Sequence, residues 1–333
     1  MISLSEDRLR RLVGALQGRR IAVLGDLMLD RYYWGSVKRV SPEAPVPVVE
    51  VESEQVRFGG AANVANNIKA LGGSAVLIGL IGDDHPGVTF LEMMAEQGLD
   101  SSCVLRDPSR PTTIKTRVIA QGQHVVRIDN ESKAACSEER AARIVEAVRS
   151  TIDSLDAIII EDYNKGVVTR DVIHEVTALA RQRGRIVTVD PKFDNFLEYR
   201  GVTVFKPNRR ETEEVLGGRL RTAADVDAAG RKLLDLLGAE NVLLTRSEEG
   251  MSLYRAGGET VHYPSTAGNV QDVSGAGDTV IATLTMALAA GADVREACHL
   301  ANCAGGVVVG FVGIVPIDPG QLLGAALGQP AGN

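Results

Sequence analysis

The chain has 333 residues, 44% of them hydrophobic, and a formal charge of −7 from 36 Lys plus Arg against 43 Asp plus Glu. That length supports a sizeable core in one large domain or two smaller ones. The acidic balance excludes the broad basic footprint of a general nucleic-acid binder, while leaving room for an anionic small molecule held by a few local cations.

The N-terminal MISLSEDRLRRLVGALQGRR is too charged for a signal peptide and predicts a short amphipathic helix. RRIAVLGDLMLD (19–30) opens with a compact apolar strand signal, and GGSAVLIGLIGDD (72–84) gives a second. Between them, GGAANVANNIKALGG (59–73) spaces Ala62, Ala65, Ile68 and Leu71 as one helical face. A helix near 86–97 comes next, then a strand at DAIIIED (156–162), a helix near 168–182 and a strand at RIVTVDP (185–191). Strands at VTVFKPN (202–208) and NVLLTR (241–246) enclose a helix over 222–238. Buried strands alternating with helices predict an α/β sheet covered on both faces.

Two stretches break the rhythm. VPVVEVESEQVRF (46–58) and TTIKTRVIAQGQHVVRIDN (112–130) are β-rich, partly alternating and more polar, with a hairpin turn at AQGQH (120–124). They predict a small lid outside the main sheet, formed from about 36–58 and 110–130, on one domain spanning 1–333. AGGVVVGFVGIVPI (304–317) is too short for a membrane span and predicts a buried helix end followed by a strand or loop, so no membrane insertion is expected. The last residues of GQLLGAALGQPAGN (320–333) are expected to fray. Cys103, Cys136, Cys298 and Cys303 have no CxxC spacing and read as buried free thiols of a reducing, cytoplasmic compartment.

The strand ends are chemically crowded. Asp26 and Asp30 follow the first strand; Glu161, Asp162 and Lys165 follow another; then come Asp190 and Lys192, Asn208 and Glu211, and Arg246. Each acid alone reads equally well as a helix cap or surface charge, but the repetition points to a ligand site at the carboxyl ends of the strands.

DVSGAGDT (272–279) stands before a long apolar run. Ser274 or Asp272 there can cap a helix starting near Gly275. Alternatively, Gly275, Ala276 and Gly277 leave backbone N–H groups free at a helix N-terminus, an anion hole that small side chains let a phosphate approach. Asp278 then has a task as general base toward a hydroxyl attacking phosphorus. An ordinary aspartate, with a pKa of about 3.9, is a weak base for an alcohol. In a loose phosphoryl-transfer transition state, however, the proton leaves late and positioning supplies much of the rate. The chain has no GxxxxGK[ST], no HRD–DFG pair and no GxGxxG after the first strand, which disfavours P-loop, protein-kinase and nicotinamide chemistry.

With these motifs the sequence resembles the PfkB, or ribokinase-like, carbohydrate kinase family. DVSGAGDT is similar to its C-terminal DTxGAGD signature, with Val273 in place of the usual Thr. GGAANVANNIKALGG is similar to its N-terminal signature, and KPNRRE (206–211) to its NxxE motif. The resemblance covers nearly the whole chain. It implies a three-layer α/β/α sandwich with a small β-rich lid, Asp278 as base and Gly275 to Gly277 as anion hole. It also implies ATP over the C-terminal half, near Arg246, Val270 and the helix from Asn302 to Gly306. Asn208 and Glu211 would arrange Mg²⁺ indirectly through water, and Asp272 would help hold a monovalent cation. Asp30, Gly59, Gly60 and Asn63 would bind the sugar.

Further stretches narrow the resemblance to the heptose 7-phosphate kinases of that family. They are LGDLMLDRYYWG (24–35), RVSPEAPVPVVE (39–50), EDYNKGVVT (161–169), VDPKFDNFLEYRGVTVFKPN (189–208) and LLTRSEEGM (243–251). This narrower resemblance implies ATP-dependent phosphorylation of the anomeric hydroxyl of D-glycero-β-D-manno-heptose 7-phosphate, in ADP-heptose synthesis for lipopolysaccharide. This chain carries no HxGH and resembles the stand-alone form, so a phosphatase and a separate adenylyltransferase are expected downstream. A homodimer through the lid is expected as well. Arg31, Lys38, Arg39, Lys115, Arg117 and Arg127 on or near the lid offer cations to a sugar phosphate, although a solvated lid face explains them equally. Lys165 and Lys192, after central strands, have the better claim to a phosphate. Competing readings are a PfkB-type kinase for a hexose phosphate, ribose or nucleoside, and a non-catalytic sugar-phosphate-binding regulator.

Overall fold

Three continuous apolar strands set the architecture. β1 (Arg20–Gly25), β4 (Ser74–Gly82) and β8 (Ala157–Glu161) are buried along nearly their whole length, and β1 pairs in parallel with both others. Strands with two apolar faces need cover on both sides, which helices supply. The computed structural model describes residues 4–329, so the residues expected to fray at 330–333 lie outside it.

α1 (Glu6–Gly14) begins at Ser5, whose hydroxyl accepts the Arg8 N–H, and turns Leu9, Leu12 and Val13 inward. After β1 come β2 (Leu27–Val40), β3 (Pro47–Gly60) and α2 (Ala61–Ala70). β4 leads to α3 (His85–Glu96), β5 (Val104–Asp107), β6 (Thr113–Ala120), β7 (Gln123–Asn130) and α4 (Glu138–Thr151). β8 leads to α5 (Arg170–Gln182), β9 (Ile186–Asp190), β10 (Val204–Phe205), α6 (Arg209–Leu216) and α7 (Ala223–Leu237). β11 (Asn241–Thr245), β12 (Met251–Arg255), β13 (Thr260–Tyr263), α8 (Ala276–Ala289), α9 (Val294–Val308) and α10 (Pro319–Ala326) complete the chain.

The main sheet has the order β13-β12-β11-β10-β9-β8-β1-β4-β5 and is parallel from β11 to β5, with an antiparallel edge at β12 and β13. One apolar cluster lies on the face covered by α1, α2, α8 and α9, and a second lies on the face covered by α4, α5 and α7. This is the expected three-layer α/β/α sandwich. β10 is shorter than the apolar run 202–208 predicts: the Lys206 N–H still donates to the Val189 carbonyl at 2.9 Å, but Pro207 has no N–H to continue the ladder. The β12–β13 hairpin was not anticipated.

A second sheet, β3-β2-β6-β7, stands apart. It takes in 27–35 as well as the segments predicted for it, because β2 runs on from β1 after a break at Asp26 and pairs in parallel with β6. Its inner end is buried at Leu27 to Asp30, whereas β7 is exposed throughout. Gln121 and Gly122, both at positive φ, make the tight β6–β7 turn. Cys136, Cys298 and Cys303 are buried free thiols, and Cys103 is half-buried. Among the described residues no helix is long and apolar enough to cross a membrane.

Candidate active site

Parallel strands end on one side of the sheet, and there the acids of the chain meet. Asp26, fully buried after β1, accepts the backbone N–H groups of Tyr163 at 2.7 Å, Lys165 at 3.1 Å and Val167 at 3.3 Å. One carboxylate thus fixes the whole loop that follows β8. Burial, reinforced by nearby Asp162, pushes Asp26 up to about 6 against those three donors.

Asp278 lies in the first turn of α8, buried, with both carboxylate oxygens engaged. Asn63 Nδ2, from α2, donates to Oδ2 at 2.6 Å, and the Tyr163 hydroxyl donates to Oδ1 at 2.9 Å. Burial and then Asp190 raise its carboxyl, Asn63 and Tyr163 lower it, and the balance lies at about 6. That is closer to a working base at neutral pH than the sequence alone allows. No side chain caps α8. The N–H groups of Gly277 and Asp278 have no hydrogen-bond partner among the described residues. Gly275 precedes the helix at φ 76°, a left-handed conformation that only glycine adopts without strain. Ser274 and Asp272 therefore do not cap the helix. Asp272 instead accepts the N–H of Ser274 and of Gly313, both at 2.9 Å, joining two loops.

A cavity of about 480 Å³ opens at this helix end. Of the residues singled out in the sequence, Gly275, Ala276, Gly277, Asp278, Lys192, Asn208, Val270, Asn302 and Gly306 line it together. Glu211 stands behind the wall. It forms a capping box with Asn208 at the start of α6 and an ion pair with Lys192, so its oxygens are committed within the chain. Arg246 does not reach the cavity: its guanidinium folds back onto Glu249, at 3.1 Å from Oε2 and from the main-chain oxygen.

Lys206 was not identified as a site residue from the sequence, whereas Glu161 and Asp190 were named there only among the acids at the strand ends. Lys206 is buried against Asp190 at 2.7 Å, and both line the cavity. Burial alone would lower the ammonium, but Asp190 outweighs it. Glu161, Asp190 and Asp278 each bring a carboxylate oxygen within 4.8 Å of the others. Both oxygens of Glu161 are buried without a partner among the described residues, and burial, with Asp190 and Asp278 close by, pushes its carboxyl well above the usual range. A hard divalent cation suits such an all-oxygen donor set and would relieve this crowding.

The second half of the site faces the small sheet. Asp30 on β2 pairs with Arg117 on β6, and Gly59 lies so close to Asp30 that a side chain at 59 would strike its carboxylate. Gly60 turns the chain into α2. Lys165 pairs with Glu131 at 2.8 Å. The two halves meet through Asn63 and Tyr163. Tyr163, within the EDYNKGVVT stretch but given no role from the sequence, touches Asp278 and has the ammonium groups of Lys115 and Lys192 at 4.8 and 5.4 Å from its ring centroid.

The description "pfkB family carbohydrate kinase" matches residues 19–317. The bifunctional protein HldE of Geobacter sulfurreducens is 45% identical over 303 residues, covering 91% of this chain and 62% of that protein. The bifunctional protein HldE of Paramagnetospirillum magneticum is 43% identical over 301 residues, covering 90% and 62%. The chain thus spans 62% of the length of these relatives. Arabidopsis thaliana ribokinase, solved with ribose and ATP, aligns with a TM-score of 0.73 at 20% identity, covering 93% of this chain and 99% of that one. Phosphofructokinase-2 from Escherichia coli, solved with potassium, gives 0.76 at 18% over 93% and 99%. These likenesses establish the fold.

Proposed function

Since this chain belongs to the pfkB family of carbohydrate kinases, we propose that it transfers the γ-phosphoryl group of ATP to the anomeric hydroxyl of D-glycero-β-D-manno-heptose 7-phosphate. The products are the 1,7-bisphosphate and ADP. The observation that carries the kinase reading is Asp278: a buried carboxylate raised to about 6, at the uncapped N-terminus of α8, on the wall of a cavity that also holds the buried Lys206. The choice of sugar rests on the likeness to HldE proteins, on the subfamily stretches of the sequence, and on the cations of the small sheet.

In this reading ATP occupies the cavity, with Val270, Asn302 and Gly306 near the base and Lys192 and Lys206 near the phosphates. The sugar lies against Asp30, Gly59, Gly60 and Asn63 beneath the small sheet, which acts as a lid and excludes water. Asn63 and Tyr163 aim the Asp278 carboxylate, which takes the proton of the anomeric hydroxyl as that oxygen attacks phosphorus in line. The free N–H groups of Gly277 and Asp278, at the positive end of the α8 dipole, stabilise negative charge on the transferring phosphoryl group.

Mg²⁺ would be held by Glu161 and Asp190, with Asn208 acting through water and Glu211 acting only through its hold on Asn208 and Lys192, and would neutralise charge on the ATP phosphates. Asp272 is positioned to help order a monovalent cation site between its two loops. A place in ADP-heptose synthesis for lipopolysaccharide, in the cytoplasm, is the consequence of this substrate. A phosphatase and an adenylyltransferase activity would then act on the product. Pairing of two copies through the exposed edges of the small sheet gives a homodimer.

The test is ADP release from ATP across a panel of acceptors: heptose 7-phosphate, unphosphorylated heptose, fructose 6-phosphate, ribose and adenosine. Highest kcat/KM on heptose 7-phosphate supports the reading. Highest kcat/KM on any other member overturns it.

A further inference from the structure

Most cations of the site are neutralised within the chain. Arg117 is held by Asp30, Lys165 by Glu131, Arg31 by Glu54, Lys192 by Glu211 and Lys206 by Asp190. Lys115 is different. It lies on β6, half-buried, and among the described residues its ammonium has neither an ion pair nor a hydrogen bond. It stands 4.8 Å from the centroid of the Tyr163 ring. Burial lowers its pKa; Asp30 opposes this, while Lys165 and Arg117 lower it further.

An ammonium partly removed from water with no counter-charge costs free energy that a dianion placed beside it would offset. The register sharpens the point. Lys115 stands opposite Asp30 across the β2–β6 ladder, and Arg117 opposite Tyr32, so both cations project from the strand that borders the sugar side. Arg117 is committed to Asp30, whereas Lys115 is not. Lys165 cancels the charge of Glu131, which would otherwise repel an anion there. Tyr163 also sets the distance: its hydroxyl is on Asp278 and its ring is under Lys115, so one tyrosine side chain separates the base from the free ammonium.

Building on the proposed sugar-phosphate kinase activity, we propose that Lys115 is the anchor of a phosphomonoester subsite that binds the phosphate already present on the acceptor. Arg117 serves this subsite by keeping Asp30 neutralised, and Lys165 by doing the same for Glu131. A lysine suits the task because its ammonium is a mobile point charge that can follow a phosphate on a flexible arm.

The test measures kcat/KM for heptose 7-phosphate and for unphosphorylated heptose, with the parent enzyme and with Lys115→Met, which keeps the stem and removes the charge. The preference for the phosphorylated sugar is expected to fall about 100-fold, mostly through KM, as loss of a charge-assisted contact predicts. Lys115→Arg, which keeps the charge, is expected to retain most of that preference and controls for folding. A preference within threefold of the parent in Lys115→Met, or equal loss in both variants, overturns the subsite. If the parent itself prefers the unphosphorylated sugar, the functional reading falls and the subsite falls with it. If the parent prefers the phosphate and Lys115→Met keeps that preference within threefold of the parent, only the subsite falls.

Discussion

The Tyr163 hydroxyl donates to Oδ1 of Asp278 at 2.9 Å across 115 positions of sequence. The loop carrying Tyr163 is itself held by Asp26 through three backbone N–H groups, so the aim of the base depends on an acid that never touches it. Tyr163→Phe keeps the ring, and with it the contacts to Lys115 and Lys192, but removes the hydroxyl. We expect kcat to fall about 10-fold with little change in either KM, because positioning rather than binding is lost. The same hydrogen bond lowers the Asp278 pKa, so the acid limb of the pH–rate profile should move to higher pH in the variant. Full-rate turnover would remove Tyr163 from the mechanism.

In the parent enzyme the acid limb reports Asp278 directly. A base with a pKa of about 6 is ionised above that value, so kcat/KM should be flat above about pH 7 and drop tenfold per unit well below 6. A limb centred near 4 would mean an unperturbed carboxylate.

The raised pKa also has a consequence for stability. Between the ordinary value of 3.8 and about 6 the unfolded chain has lost the Asp278 proton while the native chain keeps it. The contribution of this group therefore falls as pH rises through that window, and the penalty is complete above it. Asp278→Asn should be more stable than the parent at pH 8 by roughly 1–3 kcal/mol, the scale of a two-unit shift. The gap should close near pH 4. Thermal unfolding at the two pH values measures both.

The conformation of Gly275 yields a separate prediction. Its φ of 76° disfavours any side chain, and a Cβ there would lie 3.0 Å from Asn63 Nδ2, so that Asn63 would have to give by a few tenths of an ångström. Gly275→Ala should cost about 1–2 kcal/mol from the left-handed backbone alone. It should also lower kcat, because Asn63 must move and with it Asp278. Denaturant unfolding and steady-state kinetics check the two effects separately.

Much of this was legible in the chain. The unbroken apolar runs at 20–25, 74–82 and 157–161 declare strands buried on both faces, and the small side chains around Gly275 point to a helix start, although whether Ser274 or Asp272 caps it is decided only by the structure. The β12–β13 hairpin was missed, although MSLYR and TVHY alternate around a glycine-containing turn. Tyr163 and Lys206 were not recognised because their roles come from partners more than a dozen residues away: Lys206 meets Asp190 only once β9 and β10 lie side by side. Arg246 was placed by its strand end alone, and local sequence could not reveal that Glu249 would capture it. The NxxE motif showed the opposite limit. Asn208 and Glu211 were noted for chemistry, and the fold uses them first as a reciprocal helix cap.

The most direct measurement is ³¹P NMR of the reaction of the purified protein with Mg²⁺, ATP and D-glycero-β-D-manno-heptose 7-phosphate. The account predicts ADP together with a second phosphomonoester resonance coupled to the anomeric proton, the 7-phosphate signal being retained, and loss of both new signals by 10²- to 10⁴-fold in rate for Asp278→Asn. A phosphate on any other carbon, ADP accompanied only by inorganic phosphate, or undiminished turnover in Asp278→Asn would contradict it.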